Sequence, residues 1–143
     1  MILTGLLALV FSALFTGAAF YINFAEQPAR LNLEPKQLLK QWALSYKIGF
    51  IMQSTLAVLS GLAGVYVYTQ TQDWCWILGA VLILANWPYT LLVIMPTNQK
   101  LLATKETDVN GATVELIRRW GKLHFVRTIL GLSATGIFLW SLV

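Results

Sequence analysis

Trp120, His124 and Arg127 stand at i, i+4 and i+7, a spacing that puts an indole, an imidazole and a guanidinium on one helix face. His124 is the only histidine of the chain. Its side chain titrates near neutrality when unperturbed, which makes it the best available general base. The same spacing aligns Trp42, Tyr46 or Gly49, and Gln53 in one segment, and Asn23, Glu26 or Gln27, and Arg30 in another. Asn86 precedes Trp87-Pro88 and could bond across helices or cap the carbonyl that Pro88 frees. Each residue also has an ordinary reading. Arg127 could snorkel to lipid phosphates, Glu26 pair with Arg30 or Lys47, and Gln53 act as interhelical glue. Trp42, Tyr46 and Trp120 could be interfacial belt residues, and His124 a neutral interfacial histidine.

The elements that must position these residues are membrane helices. Of the 143 residues, 57% are hydrophobic and 11% charged, against about 25% charged in a soluble domain. Four apolar stretches, approximately 2–24, 46–69, 74–95 and 123–143, reach the roughly 20 residues that span a hydrocarbon core. They predict a single domain over 1–143: an all-α, integral membrane four-helix bundle running up-down-up-down. All ten Lys and Arg fall in or beside two connecting segments, approximately 25–45 and 96–122. Basic residues stay on the cytoplasmic side, so both termini are expected on the non-cytoplasmic side. A short amphipathic helix over 35–43 is expected to lead into the second span, and the third is expected to kink at Pro88 and end near Pro96. Counting depth from the ends puts Asn23, Glu26, Gln53, Asn86, His124 and Arg127 toward the basic side. Buried polar groups in lipid seek partners, so these faces should point inward at one another.

Other functions are disfavoured. The net charge of +4 belongs to loops interleaved with Glu26, Glu34, Glu106, Asp108 and Glu115, so it marks topology and the lipid bilayer as partner, with no nucleic acid. A lone Cys75 excludes an intrachain disulfide. One histidine without a cysteine or carboxylate cluster suits no metal site, and no cofactor is expected. Haem with His124 as sole axial ligand is the alternative. The first apolar stretch has no basic residue before Arg30 and is read as a retained helix rather than a signal peptide. A homo-oligomer is left open.

Gly17 with Asn23 through Pro28, Asn86-Trp87-Pro88, Pro96-Thr97-Asn98 and Trp120-x3-His124-x2-Arg127 together give the chain a family likeness. In order and in helix count, it resembles the anthrone oxygenase family of small four-helix membrane proteins. The resemblance implies an enzyme that oxidises a flat, lipophilic phenolic or anthrone with molecular oxygen, without a cofactor. By it, His124 is the base and Arg127 the anion stabiliser. Asn86 and Asn98 orient substrate oxygens, and Trp120 and Trp42 hold the flat ring. Gln53, Asn23, Glu26 and Tyr46 complete the pocket for a hydrophobic aromatic small molecule. A bacterial inner membrane suits the chain better than a eukaryotic endomembrane. The competing reading is a non-catalytic membrane protein that binds a lipid or quinone, or serves as a partner subunit.

Overall fold

The computed structural model describes residues 1–143 and is all-α. Four helices are long and apolar enough to cross a membrane: α1 (Ile2–Arg30), α2 (Pro35–Thr71), α3 (Trp74–Ala103) and α4 (Gly111–Trp140). Each packs on the next, and α4 closes the ring against α1. The chain is a multi-pass membrane protein.

The helices run further than the apolar stretches alone suggest. The amphipathic 35–43 segment and the second span form one helix of 37 residues, about 55 Å at about 1.5 Å per residue. The third span passes Pro96 to Ala103, and the fourth starts at Gly111. The expected loops 25–45 and 96–122 are thus largely helix. They are helical because they bury an amphipathic stripe of their own. Leu38, Leu39, Trp42, Ile94, Leu101, Ile117 and Trp120 form an apolar core at the basic end. Charges on the outward faces mask that stripe from any average of hydropathy.

Caps settle the ends. Pro35 opens α2, where its missing N–H costs nothing. Gln72 ends it in the left-handed region at φ 58°, and Asp73 accepts from the Cys75 N–H at 3.0 Å to start α3. Asn110 and Thr113 make a reciprocal capping box at the start of α4.

Two helices carry a widened turn that sequence reading does not foresee. In α1 the Gln27 N–H reaches back five residues to the Ile22 carbonyl, and in α3 the Met95 N–H does the same to Thr90. Both π-turns, Ile22–Glu26 and Thr90–Ile94, end two residues before a proline, Pro28 and Pro96. A proline ring crowds the carbonyl four residues back, and the extra residue per turn relieves that crowding without ending the helix. The disturbance expected at Pro88 is slight: Ala85 keeps helical angles (φ −59°, ψ −19°), and the Ala85 and Tyr89 N–H groups still reach the Val81 and Ala85 carbonyls.

The second core lies at the other end of the bundle, where Phe15, Trp76, Ile83 and Phe138 pack among alanines. There Phe138 of α4 sits in a slot between Gly64 and Gly79. A Cβ at Gly79 would come within 2.5 Å of its ring, and one at Gly64 within 2.9 Å. Gly61 is similarly tight against Leu84, whereas Gly49 has nothing within 4 Å. Gly79→Ala is therefore expected to cost about 1–3 kcal/mol by overpacking. It should lower the melting temperature in detergent, and adding Phe138→Leu should recover part of the loss.

Candidate active site

Between the two apolar cores lies a polar layer. It is built from the π-turn of α1, the middle of α2, the Asn86–Asn98 stretch of α3 and the first half of α4. Eight of the ten cationic side chains are exposed; Arg30 and Arg127 are the buried two.

Arg30 is compensated. Its guanidinium lies 2.6 Å from Glu26 Oε1, which also accepts from Gln41 Nε2 at 2.9 Å and from Ser45 Oγ at 2.5 Å. The Arg30 guanidinium also stacks over Trp120, 5.5 Å from the ring centroid. Glu26 is thereby committed to a structural ion pair, the ordinary reading of that residue.

Arg127 is not compensated. It is 8% exposed, forms no ion pair and makes no side-chain hydrogen bond; its nearest support is the Phe15 ring, 5.4 Å from the guanidinium carbon. A buried cation without an anion is costly, and in a membrane protein it singles out a candidate functional site. Other polar atoms around it are also buried and unpaired: Gln53 Nε2, Thr90 Oγ1, Asn86 Oδ1, Trp120 Nε1, and both amide atoms of Asn98. Each such atom costs about 1–3 kcal/mol relative to a satisfied one. The six named here lie on residues that line one region of the polar layer, around Arg127.

These side chains surround two adjoining gaps. Tyr46, Gln53, Thr90, Asn98, Trp120, His124 and Arg127 line the first. Gln53, Asn86, Trp87, Thr90 and Arg127 line the second, nearer the α2–α3 face. The first offers about 20 Å³ to the centres of water-sized spheres, which is room for about one water. The second leads toward a surface groove of about 390 Å³ that shares Phe50, Ser54 and Trp87 with it.

His124 is 1% exposed, with its ring 4.9 Å from that of Trp120. Its Nδ1 lies 2.9 Å from Asn23 Oδ1, the one side-chain hydrogen bond of the ring. Trp42 does not reach the gap. It lies fully buried behind Tyr46, stacked at 5.1 Å with 8° between the planes, and edge-on to Trp120. It is a buttress rather than an interfacial belt residue. Tyr46 faces the gap, its hydroxyl 3.9 Å from Met95 sulfur. Asn86 donates to the Ile83 carbonyl at 3.0 Å, one residue before the carbonyl Pro88 frees, and leaves Oδ1 unpaired. Asn23 faces α4 and spends its amide on protein partners: the Gly121 carbonyl, His124 and Thr128.

The layer thus brings His124, Arg127, Asn86, Asn98, Gln53, Tyr46 and Trp120 together, and sets Trp42, Asn23 and Glu26 behind them. Sequence reasoning missed Thr90 and Thr128. Both were marked by spacing, Thr90 four residues after Asn86 and Thr128 four after His124. No group of three or more His, Cys, Asp or Glu side chains is placed to hold a metal ion.

Comparison with known proteins bears on this arrangement. Residues 42–137 match the family model described as anthrone oxygenase, a span that holds every gap-lining residue named above. An anthrone oxygenase of Claviceps purpurea is 33% identical over 143 residues, which cover 88% of this chain and 80% of that one. The anthrone oxygenase ptaC of Pestalotiopsis fici is 31% identical over 122 residues, covering 74% and 85%. The anthrone oxygenase tpcL of Aspergillus fumigatus is 28% identical over 144 residues, covering 94% and 89%. No solved structure matches. On the family match and on this identity over most of both chains, the protein belongs to the anthrone oxygenase family.

Proposed function

We propose that the protein is a cofactor-independent oxygenase that converts an anthrone, or a similar flat lipophilic phenolic, with molecular oxygen. The observation that carries this reading is the buried, uncompensated Arg127 beside a histidine whose ring is bonded through Nδ1 alone, in a gap lined by unpaired polar atoms. The names of the relatives supply the substrate class.

The chemistry follows from those groups. His124 Nε2 takes a proton from the methylene carbon of the anthrone, and the electron pair spreads onto the ring oxygen. Arg127 stabilises that oxyanion, with Asn98 and Gln53 as further amide groups at the oxygens. The electron-rich carbon then passes an electron to oxygen, and the resulting radical pair joins to a peroxide anion that takes the proton back from His124 to become the hydroperoxide. Loss of water leaves the new carbonyl. One anthrone and one O2 give one anthraquinone and one water. The protein contributes a base, a fixed positive charge and a cavity enclosed within the bundle, with Trp120 forming part of its wall.

As it stands the gap is far smaller than a three-ring substrate, so α2 and α3 must part to admit one. The surface groove bounded by Phe50, Ser54 and Trp87 is the proposed route, directly from the bilayer. Trp87 of that groove is followed in α3 by Pro88 and by the π-turn at Thr90, where the helical bonding is irregular. Filling the groove with Ser54→Trp is expected to raise KM about tenfold, or about 1.4 kcal/mol, with kcat kept. An unchanged KM would place the entrance elsewhere. The basic ends of the helices are proposed to face the cytoplasm, with both termini on the opposite side and the chain in a bacterial inner membrane.

Purified protein in detergent, given an anthrone, should consume oxygen above the protein-free rate, with one O2 per anthraquinone formed. If uptake stays at the autoxidation rate for anthrones of differing hydroxylation, the oxygenase reading fails.

A further inference from the structure

We propose that Asn23 is a positioning residue that fixes the tautomer of His124, so that the proton sits on Nδ1 and Nε2 alone can accept one. The inference rests on the oxygenase reading for its purpose, but the hydrogen-bond geometry carries it independently.

The logic starts from an atom that cannot donate. The Gly121 carbonyl oxygen only accepts, so the Asn23 atom 2.9 Å from it is the NH2 group. The other terminus of that amide is then Oδ1, which itself only accepts. It lies 2.9 Å from His124 Nδ1 and 2.9 Å from Thr128 Oγ1. Both neighbours must therefore donate to it. A neutral imidazole carries a single N–H, so a donating Nδ1 leaves Nε2 with its lone pair. The backbone of α4 thus dictates, through one amide, which nitrogen of its own histidine is basic.

The arrangement is held in register. Gln27, one turn beyond Asn23, donates to the Ile117 carbonyl at 2.8 Å, one turn before Gly121. Two amides of α1 therefore clasp two successive turns of α4. Gly121 has no side chain because a Cβ there would lie 2.7 Å from Gln27 Nε2. The π-turn at Ile22–Glu26 contains Asn23 and ends next to Gln27, so this local widening sits at the clasp itself. Trp120, packed against the imidazole, limits rotation of the ring. A flipped ring would put Cδ2 in place of Nδ1 and lose the bond to Oδ1, and the other tautomer would bring a bare nitrogen against that oxygen.

This differs from the substrate-contacting role expected for Asn23. Both acceptor sites of its Oδ1 are filled by protein donors, which leaves one N–H as the only free capacity of the amide.

The chain has a single histidine, so 15N-histidine labelling reports His124 without assignment. In the wild-type protein, two-bond nitrogen–proton correlations should show Nδ1 as the protonated type and Nε2 as the bare type. The reverse pattern overturns the proposal outright, whatever the enzyme does. Asn23→Leu keeps the size of the side chain and removes all three bonds. It should abolish the preference for Nδ1–H and lower kcat on the order of 100-fold with KM within about twofold, as expected when a base loses the group that orients it. A folded variant with the wild-type nitrogen pattern would also overturn the proposal. If instead the nitrogen pattern holds but no anthrone is turned over by the wild type, the oxygenase reading fails and the tautomer assignment stands.

Discussion

His124→Ala is expected to lower kcat for anthrone oxidation by about 10²–10⁴, the usual contribution of a positioned general base. The remaining rate should approach that of the free substrate in the same detergent. The physical case is that no other group at the gap can accept the methylene proton. Glu26 is bound by Arg30, Gln41 and Ser45. Tyr46 is a weak acid before it is a base, and the remaining polar liners are amides, a serine, a threonine, an indole and a guanidinium. The variant should still fold. It loses one hydrogen bond to Asn23 and leaves that oxygen with Thr128 as its remaining partner, a cost of about 1–3 kcal/mol. Truncation also opens a hole of imidazole shape beside Trp120. Free imidazole added to His124→Ala should therefore restore part of the oxygen uptake, saturably, while leaving the wild type unaffected. Wild-type turnover in His124→Ala would remove the base assignment, and the reading of the gap as a catalytic site would go with it.

Much of this architecture is legible in the sequence, and the reasons for the rest are physical. Four apolar runs of membrane length mark four helices, and they are found where expected at Ile2, Trp74 and in the interiors of α2 and α4. The ends are not legible from hydropathy because Lys36, Lys40, Arg118, Arg119 and Lys122 share their segments with Leu38, Leu39, Ile117 and Trp120. Only a helical period separates the two sets. The π-turns are less legible still. Pro28 and Pro96 read as helix ends, and nothing local says that the chain absorbs each by widening one turn upstream. In the polar layer, i, i+4 spacing places His124, Arg127, Gln53 and Asn86 on inward faces. It does not reveal which atoms are already spoken for. Whether Asn23 meets a ligand or a protein group depends on the Gly121 carbonyl, a backbone atom with no signature in residue type. Trp42 misleads for a related reason. A tryptophan flanked by lysines at a span end has the sequence context of a belt residue, yet the helical extension of α2 surrounds it with Tyr46, Trp120 and the basic-end core.

Arg127→Met is expected to separate activity from stability more sharply than any other change. A buried guanidinium with no carboxylate costs free energy that the fold alone does not recover, and its one close aromatic, Phe15, returns about 2 kcal/mol at best. Methionine fills most of the same volume and packs on the Phe15 ring without any charge to desolvate. Its thermal midpoint in detergent should therefore equal or exceed that of the wild type. Turnover should fall by about 10²–10³, as when a single donor to a developing oxyanion is removed. Loss should appear in kcat more than in KM, because the charge on the substrate oxygen exists only after proton transfer. Arg127→Lys is expected to fall between the two, since an ammonium keeps the charge but not the planar fork. A snorkelling arginine makes the opposite prediction. If Arg127 served to hold lipid phosphates, methionine would lower stability and leave oxygen uptake intact. The two measurements move in opposite directions under the two readings, so a melting curve and an oxygen trace on one variant decide between them. The geometry favours the first, because a side chain 8% exposed at the centre of the polar layer, beside Phe15 of the opposite core, has little reach to a headgroup.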